Sequence, residues 1–219
     1  AAAVAGALLG DQAEKKSKKE KKEKKSKAGN GDSAAPAPPA APAAAEDEDS
    51  ASADLPPPYA SFAEAPFTPG LTAALESVFP GPTPIQAQSW PIAVAGADLI
   101  AVAKTGSGKT LGFLLPALDR LVGGGKAKGG EGPAVLVLAP TRELAQQIQA
   151  ECVKFQPPGV ASCCLYGGVP LGDQQKLLAR ENPAVVVATP GRLCDFLTRG
   201  ALSLGRAAYV VLDEADRMV

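Results

Sequence analysis

The fold of this chain is decided by residues 98–110, whose sequence is DLIAVAKTGSGKT. Residues 98–103 are mostly apolar and predict a β-strand, and the helical pattern of residues 109–122 begins after a glycine-rich loop. A strand, a glycine loop and a helix in this order are typical of a phosphate-binding loop. The alternative is an ordinary Gly/Ser-rich turn between a strand and a helix.

The residue types in this loop match the chemistry of phosphate binding. Gly106 and Gly108 let the backbone N–H groups face an anion at the positive end of the following helix. Lys109 supplies a positive charge for phosphates, and Thr110 supplies a hydroxyl for Mg²⁺. Ala103 replaces the first glycine of the general pattern. The residues expected to bind the nucleotide in this loop are Lys104, Thr105, Gly106, Ser107, Gly108, Lys109 and Thr110.

A second candidate site follows the apolar run at residues 209–212. Asp213, Glu214, Ala215 and Asp216 come directly after it, and the sequence ends at Val219. Asp213 at the carboxyl end of a parallel strand faces the crevice where ligands bind. It can hold Mg²⁺, directly or through water, while Glu214 polarises an attacking water molecule. Taken alone, the tetrad is equally consistent with an acidic helix start. The predicted catalytic residues are Lys109, Asp213 and Glu214.

The rest of the folded part alternates strands and helices. Short apolar runs predict strands, and amphipathic segments between them predict helices, which together indicate an α/β fold with a mostly parallel sheet. Two further helices are expected before the first strand, each starting at a Thr-Pro pair. The predicted strands are residues 98–103, 134–139, 161–165, 184–188 and 209–212. The predicted helices are residues 68–78, 83–95, 109–122, 142–154, 170–181 and 192–199.

Residues 1–58 differ in composition from the rest of the chain. They contain no aromatic residue and are rich in Ala, Pro, Lys and acidic residues. We expect this segment to be a disordered tail and residues 59–219 to form the folded domain. Nine lysines lie within residues 15–27. Such a run is typical of a nuclear address or of a sequence-indifferent phosphate binder, and equally of a solvated tail.

The composition of the chain argues against a zinc site, a membrane span and a secretory signal. The chain has four cysteines without metal-ligand spacing and has no histidine, which disfavours a zinc site. No apolar run approaches the length of a membrane span, and the Ala-rich N-terminus lacks the features of a secretory signal. We therefore expect reduced thiols, no membrane partner and a monomer.

Several motifs in a fixed order resemble those of the DEAD-box RNA helicases. Residues 82–86 (PTPIQ) resemble the Q motif, and residues 103–110 match the A-x-T-G-x-G-K-T form of the phosphate loop in that family. Residues 140–145 (PTRELA), 167–168 (GG), 189–192 (TPGR) and 213–216 (DEAD) match motif Ia, the GG motif, motif Ib and motif II. The resemblance covers residues 62–219 and implies a RecA-like domain with a Q-motif region at 62–95.

The resemblance implies ATP and Mg²⁺ as cofactors and an RNA strand bound through its backbone. Gln86 would contact the adenine edge, since its amide is both a donor and an acceptor. An aromatic residue would stack on the base, with Phe62 the first candidate by spacing and Phe67 the second. Ordinary helix capping is an alternative role for both threonines of the RNA-facing motifs. The residues expected to contact RNA are Thr141, Arg142, Gly168, Thr189 and Arg192.

The resemblance also implies a second RecA-like domain and an S-A-T segment, neither of which this sequence contains. We therefore expect this polypeptide, as an incomplete domain, to bind nucleotide and RNA weakly with little ATP turnover. In the family, lysine-rich tails of this type suggest a nuclear or nucleolar role in ribosomal RNA processing, with the cytoplasm as the alternative location. Two other functions stay open. One is an RNA-binding adaptor whose lysine-rich tail recruits protein partners, and the other is an ATPase unrelated to RNA.

Overall fold

The computed structural model of this chain describes residues 55–123 and 132–218. The tail predicted at residues 1–58 lies outside the described residues except for its last four positions. Within the described ranges, no helix is both long and apolar enough to cross a membrane.

The centre of the fold is a four-stranded, fully parallel sheet with the order β2-β3-β1-β4. β1 pairs with β3 on one side and with β4 on the other, and β2 forms an edge next to β3. This architecture confirms the predicted α/β fold with a parallel sheet. The strands are β1 (Val135–Leu138), β2 (Ser162–Leu165), β3 (Val185–Ala188) and β4 (Tyr209–Leu212).

Helices cover the sheet on both faces because alternate strand residues point in opposite directions. Val135, Val137 and Val187 belong to a core cluster that includes residues of α1 to α4. Leu136 and Val186 belong to a second cluster with residues of α5 and α6. The helices are α1 (Pro69–Glu76), α2 (Pro84–Ala95), α3 (Lys109–Gly123), α4 (Arg142–Phe155), α5 (Leu171–Glu181) and α6 (Pro190–Thr198).

Helical spacing of apolar residues explains how these helices pack. In α4 the buried residues are Ala145, Ile148, Cys152 and Phe155, which recur every three or four positions and so form one stripe. Proline occupies the first turn of α1, α2 and α6, where its missing N–H costs no intrahelical bond. All six helices predicted from the sequence are present, with ends shifted by at most two residues.

The prediction of a strand at residues 98–103 is wrong. This segment has no regular structure and pairs with no strand in the described part of the chain. Ile100 is 96% exposed and Val102 is 91% exposed, so the apolar side chains that suggest a buried strand contact mainly solvent. Apolar composition alone does not make a strand, because the ladder hydrogen bonds have to come from a neighbouring strand.

The parallel sheet places the chemically important segments along one edge, the one formed by the carboxyl ends of its four strands. The carboxyl ends of β1, β2, β3 and β4 lead directly into residues 139–142, 166–169, 189–192 and 213–216. The glycine loop at residues 104–108 leads into α3, which packs against the face of the same sheet. Ligands of open parallel sheets bind at this edge.

Candidate functional site

The glycine loop at residues 104–108 has the backbone shape of an anion cradle. Gly106 and Gly108 have φ angles of 77° and 91°, in the left-handed region that favours glycine. The N–H of Ser107 donates to the carbonyl oxygen of Lys104 at 3.3 Å, which closes the turn. α3 starts at Lys109, so its first free N–H groups lie at the end of the loop.

Ser107 provides an independent sign that this loop accepts a ligand. Its Oγ atom is buried, and no hydrogen-bond partner for it is present in the described part of the chain. A buried hydroxyl without a partner is costly, and a ligand phosphate oxygen would supply the missing acceptor. The loop therefore fits the phosphate group that the sequence predicts.

Lys109 lies on the first turn of α3 and turns back over its own loop. Its Nζ atom donates to the carbonyl oxygen of Ala103 at 2.6 Å. The ammonium group is thus held beside the cradle by a backbone acceptor, which a bound phosphate would replace as the partner of the charge.

Asp213 begins the acidic tetrad at the end of β4. Its N–H donates to the carbonyl oxygen of Leu138 at 3.0 Å, which extends the β1–β4 ladder by one residue. Burial raises the pKa of Asp213 above its ordinary value, while the positive charge of Lys109 and the N–H of Glu214 act in the opposite direction. Because the charge of Lys109 acts on Asp213, the start of α3 lies near the end of β4. A cation bound beside this carboxylate would offset its unfavourable burial.

Glu214 has an unusual backbone conformation for a residue with a side chain. Its φ and ψ angles are 50° and 49°, in the left-handed region, and its N–H donates to Oδ1 of Asp213 at 3.1 Å. Its carboxylate lies 3.3 Å from Nη1 of Arg217. Strained backbone of this kind is frequent at functional sites. The acidic start expected for an ordinary helix is not formed, because only a short 3-10 turn, Ala215–Arg217, follows.

The described residues contain no cluster of three or more acidic, cysteine or histidine side chains able to hold a metal ion. Magnesium bound at this edge would therefore depend on Thr110, Asp213, water and ligand phosphate oxygens. This donor set fits Mg²⁺, which keeps several waters and is held by few protein ligands together with substrate phosphates.

Gln86 links the start of α2 to the glycine loop. It is 6% exposed, and its Oε1 accepts from the N–H of Thr83 at 3.0 Å while its Nε2 donates to the carbonyl oxygen of Gly108 at 3.0 Å. A cleft of about 480 Å³ lies alongside, lined by residues 83–85 and by Val102, Ala103, Gly106 and Ser107. Its volume suits a small ligand. The amide keeps one N–H and one lone pair outside these two bonds.

The expected stacking of Phe62 on adenine does not fit this structure. Phe62 is 4% exposed and its ring centroid lies 6.0 Å from that of Trp90. Phe67, the second candidate, is 7% exposed and packs edge-on against the same tryptophan at 5.2 Å. Both rings belong to the buried core cluster that contains Trp90. In this conformation neither ring is available to a base.

The two predicted threonines differ in their local roles. Oγ1 of Thr141 accepts a hydrogen bond from the N–H of Leu144 at 3.2 Å and so caps α4. Thr189 precedes α6 without any side-chain capping bond. Capping thus accounts for Thr141 and does not account for Thr189.

Arg142 and Gly168 come together although they are far apart in sequence. Gly168 has a φ angle of 90°, and a Cβ atom added to it would lie 2.5 Å from Nη1 of Arg142. Arg142 is exposed. The structure therefore brings an accessible guanidinium group against a glycine turn, an arrangement that can bind a phosphate.

Arg192 is placed differently from Arg142. Its side chain is only 9% exposed. Nη1 donates to Oε1 of Gln174 at 2.7 Å and Nη2 donates to the carbonyl oxygen of Val169 at 3.0 Å. Sequence reasoning missed Gln174, although a polar residue on the apolar stripe formed by Leu171 and Leu178 was a visible signal.

Comparison with known proteins shows similarity over most of the folded part. Residues 83–219 match the family model described as DEAD/DEAH box helicase. The chain is 54% identical over 169 residues to the ATP-dependent RNA helicase-like protein DB10 of Nicotiana sylvestris, covering 76% of this chain and 27% of that protein. It is 52% identical over 174 residues to DEAD-box ATP-dependent RNA helicase 14 of Arabidopsis thaliana, covering 77% of this chain and again 27% of the relative.

A solved structure shows the same likeness in three dimensions. The chain resembles the RNA helicase Prp28 of Chaetomium thermophilum bound to ADP, with a TM-score of 0.68 and 44% identity. The match covers 75% of this chain and 40% of that one. The chain therefore spans well under half the length of these relatives.

Proposed function

The chain belongs to the DEAD/DEAH box helicase family, and on that premise we propose that it serves an ATP-dependent RNA helicase as the first, ATP-binding RecA-like domain. The activity proposed for the whole protein is RNA-dependent ATP hydrolysis coupled to local unwinding of RNA duplexes or remodelling of RNA–protein complexes. The observation that carries this proposal is the shape of the glycine loop, in which left-handed Gly106 and Gly108 and the buried hydroxyl of Ser107, without a partner among the described residues, form an anion cradle at the start of α3.

The nucleotide would lie between the glycine loop and the end of β4. The backbone of residues 104–108 and the ammonium group of Lys109 would hold the phosphates. Gln86 would face the adenine edge from the start of α2. Magnesium bound by Thr110 and Asp213 would neutralise charge on the phosphates. Glu214 would accept a proton from, or orient, the water that attacks the terminal phosphate.

The RNA strand would lie across the ends of β1, β2 and β3. Arg142 and Gly168 are the best placed of the five residues expected to contact it, since the guanidinium group is exposed beside the glycine turn. Thr141, Thr189 and Arg192 belong to the same edge of the sheet. Contacts to phosphate and sugar bind RNA without reading its sequence.

The sequence of 219 residues, taken as a polypeptide in its own right, would have little catalytic turnover. Rate enhancement in phosphoryl transfer often needs an arginine that reaches the terminal phosphate from another domain, an effect of about a thousandfold or more. We expect this polypeptide to bind ATP and RNA weakly. Rapid RNA-stimulated ATP hydrolysis by residues 1–219 would contradict this part of the proposal.

The lysine-rich run supports a location in the nucleus or nucleolus and a role in ribosomal RNA processing. The nine lysines within residues 15–27 are typical of a receptor-read address and would attract RNA without sequence preference. A fluorescent protein fused to residues 1–58 should accumulate in the nucleus. If the fusion stays in the cytoplasm, the cytoplasmic alternative gains and the ribosomal role loses its main support.

The decisive experiment separates the folded domain from the lysine-rich run. In the full chain, the nine lysines of residues 15–27 are replaced by glutamine, and binding of a labelled single-stranded RNA is measured with and without the further change Arg142→Ala. The proposal predicts that RNA binding persists after the lysine changes and falls again with Arg142→Ala. If the lysine changes abolish all binding, the chain acts as an adaptor through its tail.

A further inference from the structure

Gln174 is a polar side chain buried where an apolar one would be expected. It lies on α5 between Leu171 and Leu178, on the stripe that packs against the sheet, and it is 7% exposed. Burial of an unpaired amide is costly, so a glutamine at such a position needs hydrogen-bond partners. Gln86 and Ser89 are the other two polar residues buried to this degree in the described part of the chain.

The partners of Gln174 come from two different elements. Its Nε2 donates to the carbonyl oxygen of Tyr166 at 3.3 Å, just past the end of β2. Its Oε1 accepts from Nη1 of Arg192 at 2.7 Å, from the first turn of α6. The amide thus ties α5 to the end of β2 and to the start of α6.

Arg192 completes the arrangement from the other side. Its Nη2 donates to the carbonyl oxygen of Val169 at 3.0 Å, and its Nε lies 3.5 Å from Oδ2 of Asp195. The backbone between Tyr166 and Val169 is therefore held at both ends, at Tyr166 by Gln174 and at Val169 by Arg192. The two side chains are joined to each other by the shortest of these bonds.

The segment held in this way is the glycine turn that contacts Arg142. Gly168 lies between the two anchored carbonyl groups with a φ of 90°, and Nη1 of Arg142 lies where its Cβ would crowd it. The position of this turn sets how closely Arg142 and the backbone of Gly168 can approach a common ligand. Arg192 has a side chain that is only 9% exposed, and its Nη1 and Nη2 atoms each make one internal bond, so it is poorly placed to bind that ligand itself.

We propose that Gln174 and Arg192 are positioning residues that hold the turn of residues 166–169 in the shape that binds the sugar-phosphate backbone of RNA. This inference deepens the proposed function and rests on it. It assigns Arg192 a role through the turn instead of the direct RNA contact expected from the sequence.

The test compares two neighbouring glutamines in the full chain with the nine tail lysines replaced. Gln174→Met keeps the length of the side chain and removes both hydrogen bonds, while Gln175→Met changes an exposed residue of the same helix. Affinities are measured for a labelled single-stranded RNA and for a fluorescent ATP analogue, together with the midpoint of thermal unfolding. Gln174→Met should weaken RNA binding about tenfold and leave ATP binding within about twofold, and Gln175→Met should change neither.

Gln174→Glu is a second variant that keeps the test valid if Gln174→Met does not fold. Its carboxylate can still accept from Arg192, but it places an acceptor oxygen where Gln174 donates to Tyr166, so RNA affinity should lie between those of the parent and Gln174→Met. Equal RNA affinity for the parent and both Gln174 variants would overturn this inference alone. A parallel loss of ATP affinity would also overturn it, since that result indicates general loss of structure. Absence of RNA binding by the parent would refute the proposed function, and this inference with it.

Discussion

The glycine loop and the glycine turn lie at the same edge of the sheet, but they are held in different ways. The loop at residues 104–108 adjoins a segment without regular structure in which Ile100 and Val102 are almost fully exposed. Its side-chain anchors are Gln86, at the carbonyl oxygen of Gly108, and Lys109, at that of Ala103. The turn at residues 166–169 follows a strand that is fully paired on one side and is clamped by Gln174 and Arg192.

The difference indicates that the nucleotide side of the molecule is adaptable and that the proposed RNA side is formed in advance. Lys109 donates to the backbone of Ala103 and would turn its other donors towards a phosphate, and Gln86 would share its amide between the loop and a base. By contrast, no described bond of the glycine turn has to change before Arg142 can meet a ligand. Variants that affect one side only are the way to test this separation.

The largest effect, a loss of nucleotide affinity, is expected for Lys109→Ala. Loss of the ammonium group removes charge-assisted contacts with the phosphates, so affinity for a fluorescent ATP analogue should fall about a hundredfold. RNA affinity measured without nucleotide should stay within about twofold if the two sides are independent. Lys176→Ala, at an exposed lysine of α5, is the matched control and should change neither affinity.

A smaller effect is expected for Gly168→Ala, measured as RNA affinity. Alanine at a φ of 90° is strained by about 1–2 kcal/mol, and its Cβ would crowd Arg142, so RNA binding should weaken about tenfold. Gly167→Ala has no neighbouring atom within 4 Å of the new Cβ and should be nearly silent. If both variants behave alike, the turn does not depend on its left-handed glycine.

A stability effect of about 1 kcal/mol is expected at the N-terminus of α4. Thr141→Ala removes the hydroxyl that caps this helix, whereas Thr141→Ser keeps it. Thr189→Ala removes no capping bond and should cost less, as measured by the midpoint of urea unfolding. Equal losses for Thr141→Ala and Thr189→Ala would contradict the different roles assigned to the two residues.

The smallest expected effect is on the chemical reactivity of the cysteines in β2, the strand that leads into the glycine turn. Burial raises the pKa of Cys163 and of Cys164 to about 12, so both remain protonated and unreactive at neutral pH. Iodoacetamide at pH 8 should label the exposed Cys194 first, as read by peptide mass spectrometry. Rapid labelling of Cys163 would show that β2 opens readily.

The raised pKa values of Cys163 and Cys164 also determine the direction in which the free energy of unfolding changes with pH. Unfolded cysteines ionise at about pH 9, while Cys163 and Cys164 in the fold stay protonated to about pH 12. Their contribution to the free energy of unfolding is therefore fully present below pH 9 and is lost as the pH rises from 9 towards 12.

Local sequence pattern is sufficient for most of the fold. The strand predicted at residues 209–212 is β4 with the same bounds, and the helix predicted at 109–122 is α3 with one added residue. The segment at residues 98–103 shows the limit of such reasoning. Its composition is that of a strand, but strand formation depends on a neighbour, which a local pattern does not contain.

The position of the site can be predicted from sequence, but the contacts between its residues cannot. Glycine loops, strand ends and the acidic tetrad identify the edge of the sheet that carries the chemistry. The bond between Gln174 and Arg192 joins residues on separate helices, and the burial of Phe62 depends on the position of Trp90. Such contacts follow from tertiary packing, which pattern and spacing do not specify.

The central claim is that the glycine loop and the acidic tetrad form one nucleotide site. It is tested most directly by measuring the affinity of the full chain for a fluorescent ATP analogue, with and without Mg²⁺, before and after Asp213→Asn. We predict that Mg²⁺ strengthens nucleotide binding by the parent chain, and that Asp213→Asn loses this gain while keeping the Mg²⁺-free affinity. An unchanged response to Mg²⁺ in Asp213→Asn would show that the end of β4 takes no part in holding the nucleotide.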